Sequence, residues 1–323
     1  ADVRTHDPEI EVAMEVHSCW GTFEWLLEDA LKLGYRVGVC ANSDDHKARP
    51  GAAYPGSGKF GSYGGLTCVR ADRLDRDSVH AAVMARHFYA TTGHRPILDV
   101  DLSVGAVQAV MGDIVDCDED EALLRVRYVG TGAVDRISVK NGLQTVAVLR
   151  PEAGADASHR IKVTWSGAEV RGRNRMVAWD GSLSVDGNQI EDFDPINFWN
   201  PDRQITLDTT GSALRWESVT TGGVTGAVLT LRQAGQGTLR LDTAQGEFSC
   251  DLTDLDADGR KWELGGIAKE VEVRALPDAP SSAEMTFKLP IRSLAAGDNP
   301  IYVKVEQENG AFVWSSPIYL VRP

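Results

Sequence analysis

From residue 97 onward the chain is written in short alternating runs, and this pattern limits its fold more than any other feature. Apolar and polar residues take turns over 97–104, 122–129, 136–140, 145–149, 160–165, 175–179, 227–232, 237–242, 284–289, 301–307 and 312–321, with Gly, Asp, Asn and Pro between the runs. A period of two sends every second side chain to the same face of a strand, so each run has an inward and an outward side. Many short strands at this spacing point to antiparallel sheets packed face to face, and the expectation for 97–323 is a β-sandwich region of one or more units. Asn141-Gly142 and Glu308-Asn309-Gly310 have the chemistry of hairpin turns. Trp165, Trp179, Trp199, Trp216, Trp262 and Trp314 all fall in this region. Aromatic residues on strands serve core packing, with a carbohydrate-binding platform as the alternative.

Residues 1–96 carry a different pattern. Residues 10–17 alternate as a strand, Thr22 stands where a helix N-cap is needed, and Phe23, Leu26, Leu27, Ala30 and Leu31 share one helical face. Gly34 closes that helix, and 35–41 reads as a second strand. A β-α-β unit sets its two strands parallel, with both C-terminal ends on one rim. Glu15 and His17 end the first strand, and Asp44 and His46 follow the second. Carboxylate oxygens and imidazole nitrogens converging at one rim suit a divalent transition metal, which takes mixed N/O ligands at about 2.0–2.2 Å. Asp45 points the other way and is assigned a supporting or turn role. The alternative for Asp44 and His46 is an Asx turn beside a surface histidine. Further on, 66–71 reads as a strand, and Asp75 or Asp77 caps a helix carrying His80 and His87, which are assigned no ligand role.

Between these elements runs a glycine-rich loop over 49–65. Its Gly56-Ser57-Gly58-Lys59 lacks the earlier glycine and the Ser/Thr of a phosphate loop, so it reads as a lid or substrate wall. Lys47, Arg49 and Lys59 are candidate substrate-binding cations, with a solvated surface role as the alternative. The acidic Asp116-Cys117-Asp118-Glu119-Asp120 lacks calcium-loop spacing and reads as a solvated turn. The net charge of −14 argues against nucleic-acid partners. No apolar run has the length of a membrane span, and no signal peptide is visible. Five scattered cysteines without a C-x-x-C pair fit reduced thiols and a cytoplasmic location. Cys19 beside His17 reads as a packed thiol, with thiolate ligand or nucleophile as the alternatives.

The run Asn42-Ser43-Asp44-Asp45-His46-Lys47-Ala48-Arg49-Pro50-Gly51 resembles the last metal motif of PHP-type (polymerase and histidinol phosphatase) hydrolases, where Ser-Asp-x-His closes the site. Glu15-Val16-His17-Ser18-Cys19-Trp20-Gly21 resembles the segment one strand earlier. Tyr63-Gly64-Gly65-Leu66-Thr67 and Phe88-Tyr89-Ala90-Thr91-Thr92-Gly93 add matches, and 311–319 is similar to the closing strand of a PHP-like family described as domain of unknown function 3604. The resemblance implies a distorted (β/α)7 barrel that binds two or three Zn²⁺, Mn²⁺ or Fe²⁺ ions and hydrolyses phosphoesters. The His-x-His of that family's first strand occurs nowhere in this sequence. The resulting expectation has two parts: residues 1–96 form the C-terminal portion of such a barrel, and 97–323 form the β-sandwich region. The rest of the barrel would come from a missing N-terminal half or a separate chain, and an oligomer fits the same picture.

The function expected on these grounds is metal-dependent hydrolysis of a small phosphorylated substrate. Asp44 and His46 are the central metal ligands, His17 and Glu15 come from the neighbouring strand, and Asp45 supports them. Two alternatives stay open: a non-catalytic binding or scaffold module with an incomplete metal site, and a metal-dependent hydrolase acting on amides or other bonds.

Overall fold

The computed structural model describes residues 4–46, 63–151 and 158–323. Among the described residues strands make up 51% and helices 7%, with two α-helices, Glu24–Lys32 and Arg76–Met84. This overturns the expected C-terminal part of a (β/α)7 barrel, because a closed parallel sheet needs a helix after almost every strand to cover its outer face. One β-α-β unit is present among the described residues. Ala13–Ser18 and Gly38–Ala41 pair in parallel, with helix Glu24–Lys32 between them in sequence. The third strand of that sheet, Gly21–Thr22, is antiparallel. The chain then leaves for Leu66–Val69 and Phe88–Thr91, an antiparallel pair whose sheet is continued by Phe312–Ser315 from the C-terminal end.

The first helix forms for the reason its spacing implies. Trp25, Leu27 and Ala30 are buried, and Leu27 and Ala30 pack with Val16, Val39 and Trp314 in one small core. Its start differs from the reading above: Phe23 occupies the N-cap position and no side chain caps it, because the Thr22 hydroxyl is engaged by His17. Gly34 follows its end at φ +74°, a conformation that glycine adopts without strain. The second helix is capped by Asp75, whose Oδ1 accepts from the Ser78 N–H at 2.8 Å.

Two large β units follow. In the first, an eight-stranded sheet containing Val134–Asn141, Gly297–Gln307 and Phe312–Ser315 shares a core with a four-stranded sheet of Glu284–Arg292, Glu121–Val129, Ile97–Val104 and Val107–Val110. Leu98, Leu102, Leu124, Tyr128, Ile137 and Val303 fill it. The second unit is inserted into the first, and its two five-stranded sheets centre on Arg160–Ala168 and Gly181–Asp186. Trp165, Trp179, Trp216 and Leu229 lie in its core. Its two ends run side by side: the Leu276 N–H donates to the Arg160 carbonyl at 2.9 Å, and Asp278 accepts from Ser158 and His159.

The junction of the two β units is ionic. Asp135, 1% exposed, takes Lys162 Nζ at 2.7 Å and also pairs with Arg274. Arg136 reaches Glu272 at 3.1 Å and Glu306 at 2.9 Å, and Arg160 reaches Glu308 at 2.6 Å. Burial by itself would raise the Glu306 carboxyl, but Arg136 and Lys304 outweigh it and hold Glu306 at about 2. Among the described residues no helix is long and apolar enough to cross a membrane, and all five cysteines are free.

Candidate functional site

The β-α-β unit determines where the predicted residues go. Parallel pairing aligns Glu15 with Cys40, and a bulge then sets His17 opposite Ala41. The bulge separates two side chains that a regular strand would have aimed together. Glu15 stays half-buried at the rim, where its Oε2 accepts from Asn42 Nδ2 at 2.7 Å. Burial raises its carboxyl; the Asn42 bond opposes this and the nearby Asp44 charge adds to it.

His17 turns inward and is 5% exposed. Its Nε2 lies 2.8 Å from the Tyr63 carbonyl and its Nδ1 2.9 Å from the Thr22 hydroxyl. A carbonyl can only accept, so Nε2 carries the proton and donates, while Nδ1 accepts from Thr22. Burial pushes this imidazole down to about 4. Both ring nitrogens are therefore committed, and His17 ties the 63–65 segment to the strand end.

Asp44 and His46 do meet, by a different route from strand alternation. The strand stops at Ala41, and both residues lie beyond it in the left-handed region, at φ +47° and +53°. His46 Nε2 stands 3.0 Å from Asp44 Oδ1, on side chains 73% and 47% exposed. The turn is clamped from the first strand's side. The Asp44 carbonyl accepts from Trp20 Nε1 at 2.9 Å and from Cys19 Sγ at 3.3 Å, and the Cys19 N–H donates to the Ser43 carbonyl. Burial, followed by Asp44, Asp45 and Glu15, pushes the Cys19 thiol up to about 11, so it is protonated at neutral pH. Asp45 is buried behind this turn. Lys47, Arg49 and Lys59 lie outside the described residues.

Trp20, Asn42 and Tyr63 complete the arrangement; all three fall in the runs that carry the family resemblance, but the sequence assigned them no role. Asn42 bonds to Glu15 through its side chain; its N–H donates to the His17 carbonyl and its carbonyl accepts from Gly65. A Cβ on Gly65 would meet the Ala41 side chain, so only glycine lets the two segments lie this close.

Asp44 Oδ1 and His46 Nε2 are hydrogen-bonded at 3.0 Å, and an ion held by both would take the place of the proton between them. The Asp44 charge is close enough to Glu15 to raise its carboxyl. Among the described residues, however, no group of three or more His, Cys, Asp and Glu side chains is arranged to hold a metal.

Two clefts lie nearby. One, of about 50 Å³, is bounded by His17, Thr22, Tyr63, Asn197, Trp199 and Phe312. The other, of about 230 Å³, lies between the first helix and the junction of the β units. Neither is lined by Glu15, Asp44 or His46. Comparison with protein-family models, with curated proteins and with solved structures gives no match.

Proposed function

We propose that this chain carries part of the site of a metal-dependent hydrolase acting on phosphoesters, in line with its resemblance to PHP-type hydrolases. Asp44 and His46 would hold the ion, Glu15 lies within electrostatic range of it, and the remaining donors come from outside the described residues, on this chain or a partner. The observation that carries the reading is the Oδ1–Nε2 spacing of 3.0 Å on a solvent-facing turn. When bound, Zn²⁺, Mn²⁺ or Fe²⁺ supplies Lewis-acid charge and a water acidic enough to attack at neutral pH. The chain's own residues do the positioning. Trp20 and Cys19 fix the turn through the Asp44 carbonyl, Asn42 orients Glu15, and His17 anchors the segment that follows at Tyr63.

Metal analysis and turnover of aryl phosphomonoesters and phosphodiesters, with and without Mn²⁺, test this. Asp44→Ala and His46→Ala should each cut metal content and turnover by at least about 100-fold while the circular dichroism stays unchanged. Wild-type metal content in both variants would overturn the proposal. A second reading, a non-catalytic module, is favoured by one observation: the clefts are lined by other residues. It predicts no metal-stimulated turnover of any ester or amide substrate.

A further inference from the structure

The inserted β unit grips the rim from outside. Its residues 220–223 pack backbone to backbone on the hairpin that joins the first strand to the first helix. A Cβ on Gly21 would run into the Thr221 carbonyl, and one on Gly222 into the Thr22 carbonyl. Both glycines also hold positive φ values, +132° and +100°, which other residues rarely adopt. A second arm, the loop after Arg160–Ala168, reaches the same hairpin. Its Arg171 pairs with Asp29 of the first helix. Its Arg175 donates to the Trp20 carbonyl from Nε at 3.3 Å and from Nη2 at 3.1 Å. The same guanidinium lies over the Phe23 ring, 5.0 Å from its centre, and its Nη1 donates to the Gly172 carbonyl at 2.7 Å, which closes the loop on itself.

Trp20 passes this hold on to the rim. Its indole N–H donates to the Asp44 carbonyl at 2.9 Å, and its ring lies 5.7 Å from the His46 ring. Asp44 and His46 sit at φ +47° and +53°, a region that residues with side chains keep only where their surroundings enforce it. The turn therefore depends on contacts from outside, and the indole supplies one of them. An indole stays aimed at one carbonyl only while its own backbone is fixed, and Arg175 fixes it.

We infer that Arg175 is a positioning residue for the Asp44–His46 turn, acting through Trp20, and that the inserted β unit thereby sets the geometry of the candidate site. Its effect on an ion rests on Asp44 and His46 being ligands, as proposed above; the link from Arg175 to the turn does not.

In the whole chain, solvent exchange of the Trp20 indole N–H, assigned with Trp20→Phe and referred to the buried indoles of Trp165 and Trp179, reads that link without any metal. Arg175→Met should speed Trp20 exchange at least about tenfold, the worth of one hydrogen bond held in place, while the two references stay slow. It should also weaken Mn²⁺ binding, measured by calorimetry, by about tenfold. Arg175→Lys, which keeps a cationic donor, should recover most of both losses. Arg173→Met, an exposed change on the same loop, should cause neither. A residue that only adds stability would speed all three indoles together. Trp20 exchange that is unchanged in Arg175→Met, or that rises only in step with the references, would overturn the positioning role, and so would an equal effect of Arg173→Met. Faster Trp20 exchange with wild-type Mn²⁺ affinity would overturn the consequence for the site. Absence of Mn²⁺ binding in the wild-type chain would sink the metal proposal instead, with exchange still deciding the role of Arg175.

Discussion

Asn42 shows how much of the rim depends on a residue with no chemistry of its own. Its amide donates to Glu15, and its backbone joins the strand end to Gly65. Asn42→Ala should therefore lower stability by about 1 kcal/mol. It should also raise the Glu15 titration midpoint further, because a bond that favours the charged carboxylate is lost; carboxyl-resolved NMR titration would read this. Glu306 provides the acid-side prediction. Its folded value of about 2 lies below the ordinary 4.5, so the unfolded state binds more protons in between. The stability it contributes is fully present above about pH 4.5 and is lost as pH falls toward 2, on the order of 3 kcal/mol. Denaturant melts across that window should show the loss, and Glu306→Gln should flatten it. Asp44-x-His46 was legible because its partners are two residues apart. Asn42, Trp20 and Tyr63 were not, because their roles exist only once separate segments are brought into contact.

The same contrast holds among the elements. Runs with one wet face, such as Ile97–Val104 and Glu121–Val129, stand out by alternation. Ile267–Ala275 alternates too, over Glu270-Val271-Glu272-Val273-Arg274-Ala275, yet both its faces are buried. Arg136 and Asp135 across the junction cover Glu272 and Arg274, so an alternating run here has no wet face, which the period of two cannot reveal. Ile190–Ile196 was hidden by Pro195, which reads as a breaker but lies within a strand that pairs along only one side. The second helix offers a local test. Asp75→Ala removes its cap bond and should cost about 1 kcal/mol, with faster amide exchange confined to Arg76–Met84.

At the scale of the molecule, a β-α-β unit looks the same in a barrel and in a small three-stranded sheet. What distinguishes them is the destination of the next strand, here a sheet shared with residues near the C-terminal end. Nothing local in the sequence carries that pairing, which is why the barrel reading failed. The ionic junction should behave as one unit. Asp135→Ala leaves Lys162 and Arg274 buried with one fewer counter-charge, and should destabilise the fold by about 3–5 kcal/mol. Limited proteolysis should then cut first near the connections around residues 158 and 278.

Insertion of one β unit inside another also imposes a schedule on synthesis. Glu121–Val129 and Val134–Asn141 emerge early, but their partners Glu284–Arg292 and Gly297–Gln307 are translated only after the whole inserted unit. At about 5–20 residues per second, the early strands wait roughly 10–30 s with their apolar faces uncovered. The guest, whose strands all lie within one continuous stretch, can close before its host. A nascent chain just long enough to bring Ile267–Ala275 clear of the ribosome should therefore protect the inserted unit from protease while the earlier strands remain cleavable.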